Sequence, residues 1–207
     1  MLKFKFILLA ISVFFATYVW LDFRYAESVV YGKVAMRCLS SIYDAEFIYR
    51  NEDVDFNGLN DFWVGGLRGL YAVSGEVIVP LIDDRIRYAD FSPIGNTDKA
   101  DPSDYRTKTK PFSFYYFKAM KYNVRNEPYN KGNDKNEKEF AYIAIPIFGK
   151  KDWYVFIVNQ DGHIYRRNDS KIYTTEYIVR DELLKWPAEN QIEREWEFIY
   201  DCSENNK

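Results

Sequence analysis

Asp53, Asp55, Asn57, Gly58 and Asp61 stand in the order D-x-D-x-N-G-x-x-D, and that spacing matches the front of a calcium-binding loop. In such loops the side-chain oxygens at positions one, three and five converge on a hard cation. A backbone carbonyl at position seven, here that of Leu59, and a group at position nine, here Asp61, complete the near side, while glycine at position six permits the sharp turn. The bidentate glutamate of position twelve is missing, because Val64 stands there. Ca²⁺ held by Asp53, Asp55, Asn57, Leu59 and Asp61 would need a further ligand from elsewhere in the chain or from water. Such a cage of protein oxygens suits a structural ion that fixes the loop better than an open catalytic metal. The competing reading is that Asp, Asn and Gly at the end of a helix form Asx-turns with no ion.

Other reactive groups lack the neighbours that catalysis requires. The single histidine, His163, follows Gly162 in a turn and has no serine or cysteine nucleophile in any recognised arrangement. The two cysteines, Cys38 and Cys202, lie almost a chain length apart, which is no metal spacing. Export to an oxidising compartment would allow them to pair. Phosphate loops, dinucleotide-binding glycine patterns, H-E-x-x-H and C-x-x-C are absent from the sequence. No catalytic residue is assigned, and a non-enzymatic role is expected. Lys108, Lys110, Lys118, Lys121 and Arg125 interleave with aromatic residues between Phe112 and Tyr122, a pattern shared by single-strand nucleic-acid platforms. A strand with one buried aromatic face and one solvated basic face produces the same pattern. The charge balance, 28 basic against 31 acidic residues, gives no field to attract nucleic acid.

The elements that must position these groups begin with an apolar run, Phe6 to Leu21, preceded by Lys3 and Lys5. The run is free of charge and ends at Tyr18 and Trp20, where an interfacial aromatic belt would lie. It predicts a membrane anchor over residues 1–25 with the N-terminus in the cytoplasm and the rest outside, embedded in the lipid bilayer. A cleaved signal peptide is the alternative, although the exit lacks the small residues that cleavage favours. From Ala26 to Tyr49 no proline occurs, and Val30, Val34, Cys38, Ile42, Ala45 and Tyr49 follow a helical rhythm, so the anchor is expected to continue as a helix. Lys33, Arg37, Asp44 and Arg50 mark its solvent side.

After the loop at 51–61, weak apolar stretches surround Leu70–Val73 and Val77–Ile82, and a helical turn is predicted near Ile82–Asp90. The remainder to 111 is turn-rich. Strands are predicted at Phe112–Tyr122, Phe140–Ile147, Trp153–Asn159 and His163–Asn168, with a tight hairpin at Asp161-Gly162 and a mobile tip between the first two. A short helix is expected within Glu189–Tyr200. The sequence is 47% hydrophobic and 19% aromatic, ample for one packed core in 207 residues. The fold class is therefore α+β, a long helix against a roughly four-stranded antiparallel meander, divided into the anchor, a domain over 26–187, and a helical extension with a polar tail over 188–207.

That order of parts resembles the type IV pilin and pseudopilin architecture. The strings AEFIYRNEDVDFNGLNDFWVGGLRGLY, LIDDRIRYAD, PFSFYYFKAM, AYIAIPIFGK and FIVNQDGHIYRR, spanning about residues 35–187, look like the exported domain of a poorly characterised group of bacterial pilin-like proteins. The resemblance implies a structural or interaction subunit of a cell-envelope assembly that contacts other envelope proteins or further copies of itself. One departure stands out: Met1 to Leu21 has neither Gly nor Glu, so the prepilin processing motif is lacking. The alternative function is a periplasmic ion- or ligand-binding module working through the Asp53–Asp61 loop.

Overall fold

A computed structural model of the chain describes residues 2–71, 80–90, 110–130, 135–147, 153–168 and 181–203. Helix α1 runs Leu2–Asn51 without a break, 50 residues or about 75 Å at 1.5 Å per residue. It is followed by β1 (Phe62–Trp63), α2 (Leu67–Tyr71), α3 (Asp84–Tyr88), β2 (Tyr115–Ala119), β3 (Lys135–Asn136), β4 (Ala141–Pro146), β5 (Tyr154–Asn159) and β6 (His163–Asn168). A 3₁₀ turn (Asp181–Leu184), α4 (Glu189–Glu195) and β7 (Glu197–Asp201) complete the order. The expected stretches around Leu70–Val73 and Val77–Ile82, and much of the turn-rich excursion after them, fall mostly outside the described residues.

Five strands form one antiparallel sheet in the order β2-β4-β5-β6-β7, and β1 pairs with β3 in a separate two-stranded ribbon. The sheet thus has a fifth strand where only a helix was expected: α4 stops at Glu195, and Glu197–Asp201 pairs with β6, setting His163 opposite Asp201. Alternating Phe198 and Tyr200 favour an extended chain once the helix ends at Trp196, whose ψ of 140° is already extended. Cys202, expected in a polar tail, is buried instead, and its N–H donates to the Gly162 carbonyl at 2.8 Å. The hairpin lies where Asp161-Gly162 predicts it, with Gly162 at φ +83°.

The core lies between α1 and the sheet. Ala35, Cys38, Leu39, Ile42, Tyr43, Ala45 and Tyr49 repeat at three- and four-residue intervals and are all buried. At its start the buried stripe is offset from the sequence rhythm: Ser28 and Gly32 are buried there, while Val30 is 56% exposed and Val34 only partly covered. On the sheet, Phe156 packs against Gly32 of α1, where an added methyl would lie 3.3 Å from the ring. Residues alternate faces along a strand, so Val158 shares the helix side of β5 with Phe156, and Ile157 and Asn159 point the other way. Strand β4 is buried along its whole length, so its second face is covered as well. Lys118, expected on a solvated basic face, is itself buried on β2.

Among the described residues no helix is long and apolar enough to cross a membrane. The side chains of residues 2–11 lie outside that description, and the expected anchor falls partly on them. Further along α1, Val13, Phe14, Phe15, Tyr18, Val19 and Trp20 are large apolar residues exposed to solvent, each by 49% or more.

Candidate functional site

The loop that follows α1 is built by its own acids. Asp53 has left the helix at φ +45°, and its carboxylate accepts hydrogen bonds from the backbone N–H of Asn57 at 3.1 Å and of Gly58 at 3.0 Å. Gly58, at φ +77°, makes the sharp turn that glycine at this position permits. The Asn57 side-chain oxygen accepts from the Leu59 N–H at 2.6 Å, and its amide nitrogen donates to Asp55 Oδ2 at 3.1 Å and to Asp61 Oδ2 at 3.2 Å. Asp55, Asn57 and Asp61 are therefore brought together, while Asp53 serves the backbone and Leu59 is exposed.

A charge from the far side of the sequence completes this cluster. Lys135, on β3, donates its ammonium to Asp55 Oδ2 and forms an ion pair that is mostly sheltered from solvent. Burial pushes the Asp55 carboxyl up, but the bond from Lys135, the neighbouring Tyr49 hydroxyl and the lysine's charge outweigh it and hold the group below the ordinary range. Asp61 is buried, and its second oxygen, Oδ1, has no hydrogen-bond partner among the described residues. As arranged, the loop presents Asn57 N–H groups to its two acids, and Lys135 supplies the cation. Among the described residues no group of three or more His, Cys, Asp or Glu side chains is placed to hold a metal ion.

Behind the loop lies a second acid that the sequence reading passed over. Glu46, on the core side of α1, is fully buried. Its Oε1 accepts from the Tyr142 hydroxyl of β4 at 2.6 Å, and its Oε2 from the Trp63 N–H of β1 at 2.8 Å. The same Tyr142 hydroxyl lies 3.2 Å from the Trp63 carbonyl. Burial raises the Glu46 pKa well above that of an exposed glutamate, against the two hydrogen bonds that lower it, and nearby Asp61 adds to the rise. The signal for Glu46 was present: a lone acid between Ile42 and Tyr49 on an otherwise apolar stripe. Nothing local marks Lys135, which reaches its partner only through the β1–β3 pairing of Trp63 with Lys135 and Phe62 with Asn136.

The remaining candidates have structural surroundings. His163 opens β6 and faces Asp201, with Nε2 3.6 Å from a carboxylate oxygen and its ring edge-on to Phe198. Cys38 and Cys202 are free and buried, and burial pushes their thiols up to about 12 and about 11, so neither supplies a thiolate near neutrality. Asp83 of the Asp83-Asp84 pair caps α3 and holds Arg85 at 2.8 Å. Of the basic cluster, Lys108 is outside the described residues, and Arg125 is paired with Glu127 and Glu139.

These features define an α+β domain with a long helix, a five-stranded antiparallel sheet and a buried acid network at their junction. Residues 34–178 match the family described as Protein of unknown function (DUF2950), and the chain belongs to that family. No curated protein and no solved structure is significantly similar to the chain.

Proposed function

We propose that the protein is a membrane-anchored, non-enzymatic structural or interaction subunit of a bacterial cell-envelope assembly, with a pilin-like plan of one long helix laid on an antiparallel sheet. The observation that carries this reading is the exposed apolar band of α1, in which Phe14, Phe15 and Trp20 are each more than half exposed. The same helix is buried against the sheet from Ala35 onward. Leaving such a band in water is costly, at about 25 cal/mol per Å² of apolar surface, and a bilayer or packed neighbours remove that cost. The run Phe6–Leu21 reaches about 24 Å as a helix, short of the roughly 30 Å hydrocarbon core, and Lys3 and Lys5 can extend their ammonium groups to the headgroups. The domain then stands outside the inner membrane with its contact surfaces turned to envelope proteins or to further copies. The test is fractionation of cells expressing the full chain. Retention in the membrane pellet after an alkaline carbonate wash, with the domain digested by protease added to spheroplasts, is expected; a soluble cytoplasmic chain overturns the reading.

A second reading, a periplasmic ion-binding module, draws on the unpartnered buried oxygen of Asp61. Calcium would take that oxygen together with Asp55 after Lys135 withdraws. Calcium titration of the purified chain then raises the melting temperature by several degrees at saturation, and Asp55→Ala abolishes the rise. An unchanged melting temperature removes this reading.

A further inference from the structure

A cleft of about 640 Å³ opens between the end of the β5–β6 hairpin and the segment that carries α4, and two of its lining residues, Tyr129 and Glu139, are hydrogen-bonded to Asn136 of β3. Its volume falls in the range of small-molecule sites, roughly 300–1,000 Å³. The aromatic walls are Tyr129, Tyr165, Trp186, Trp196 and Phe198, and the polar lining includes Glu139, Asp161, Glu189 and Glu193. Among the described residues no lysine or arginine lines it.

Three features point to the chemistry of an occupant. Glu139 is paired with Arg125 at 3.3 Å, but Asp161, Glu189 and Glu193 have no cationic partner among the described residues. Asp161 receives only neutral amide donors, from Asn159 at 2.8 Å and Gln160 at 3.3 Å. Glu189 and Glu193 stand four residues apart on α4, a like-charge spacing that weakens a short helix unless something positive lies beside it. The aromatic wall also suits a cation: Tyr165 packs edge to face with Trp186 at 6.3 Å and Phe198 at 5.9 Å, all three lining the cleft, and the Trp196 ring already carries the Arg167 guanidinium at 4.7 Å. Cations are held over ring faces by the aromatic quadrupole, most strongly by tryptophan. Finally, Asn159, which lines the cleft, has a buried side-chain oxygen without a hydrogen-bond donor.

We propose that this cleft binds a compact organic cation, an ammonium or quaternary ammonium group seated on the aromatic wall and balanced by Asp161, Glu189 and Glu193. Trp196 Nε1 is a buried donor without a partner, which a hydroxyl oxygen would satisfy, so a neutral polyol is the control ligand. The proposal rests neither on membrane attachment nor on ion binding at the acid loop.

The test is titration of the full chain, in a non-ionic polyoxyethylene detergent, with choline, spermidine and glucose, read by tryptophan fluorescence and calorimetry. Saturable binding of choline or spermidine with a Kd below about 1 mM is expected, and which of the two binds separates a quaternary head from a primary amine. The Glu189→Gln, Glu193→Gln double variant changes two exposed side chains and keeps the wild-type melting temperature, yet it weakens binding about three- to tenfold. Trp196→Leu weakens it further. No saturable response to either cation, binding of glucose in their place, or an unchanged Kd in the double variant overturns the proposal.

Discussion

Glu46 offers the sharpest test of how the helix is joined to the sheet. Its pKa, raised by burial against the two hydrogen bonds that lower it, fits a neutral acid. When protonated, Oε1–H donates to the Tyr142 oxygen, the Tyr142 hydroxyl donates to the Trp63 carbonyl 3.2 Å away, and the Trp63 N–H donates back to Oε2. Every polar atom of the ring is then satisfied with no buried charge. On ionisation, Tyr142 must turn its proton to Glu46, and the Trp63 carbonyl loses a donor while a full charge enters the core. An acid whose pKa is raised by folding leaves the folded state with more bound protons than the unfolded state. Its contribution is therefore complete below the ordinary glutamate pKa and is lost as pH rises through the folded value. The loss accrues at up to about 1.4 kcal/mol per pH unit, or about 3–6 °C in melting temperature per pH unit for a chain of this length. Glu46→Gln keeps the ring, with the amide N–H replacing the acid proton, and removes the titration. Melting curves of the two proteins from pH 5 to 9 should diverge, the wild type falling and the variant staying flatter and becoming the more stable at alkaline pH. Glu46→Ala should cost about 2–5 kcal/mol at acid pH, from the cavity and the unmet donors, and the gap to the wild type should narrow as pH rises. Parallel wild-type and Gln curves would mean that Glu46 does not carry the proton assigned to it.

Two further substitutions probe the same junction and the sheet edge. Gly69→Ala would drive a methyl into the Trp63 ring, whose Nε1 donates to the Gly66 carbonyl at 2.8 Å. Displacing that ring should lower stability by about 1–3 kcal/mol in a chemical denaturation curve. Truncation after Trp196 removes β7, exposes the edge of β6 and uncovers Ile164, so loss of melting temperature and concentration-dependent aggregation in light scattering are expected.

Local chemistry made much of this fold readable. The helical stripe of Cys38, Ile42, Ala45 and Tyr49, the Asp161-Gly162 turn, and the β-rich runs at β2, β4, β5 and β6 each depend on neighbours within a few residues. Features that depend on distant partners were less readable. Strand β7 follows directly on a genuine helix, so its alternating Phe198 and Tyr200 read as part of that helix until the pairing with β6 is seen. The β1 and β3 strands are two residues each, too short to show a period. In the acid loop the Asp, Asn and Gly spacing correctly indicated the tight turn at Gly58, because Asx chemistry acts over two to five residues. It gave no sign that Lys135 would meet Asp55, or that the Asn57 amide would present its donors to Asp55 and Asp61.

The acid loop and the buried acid are one structural device. Asp61 and Phe62 lead directly into Trp63, whose N–H ends on Glu46 of α1 and whose ring neighbours Tyr49, with centroids 6.0 Å apart. Lys135 ties the loop to β3, and β3 in turn pairs with β1. A change at the loop therefore reaches α1 through two short connections, the Asp61-to-Trp63 strand and the Tyr49–Asp55 contact. The packing of α1 on the sheet runs from Gly32 to Tyr49, and this junction closes the end of it farthest from the exposed apolar band. Weakening the junction should lower the stability of the domain in chemical denaturation, whereas changes at the exposed cleft residues Glu189 and Glu193 should leave it as it is.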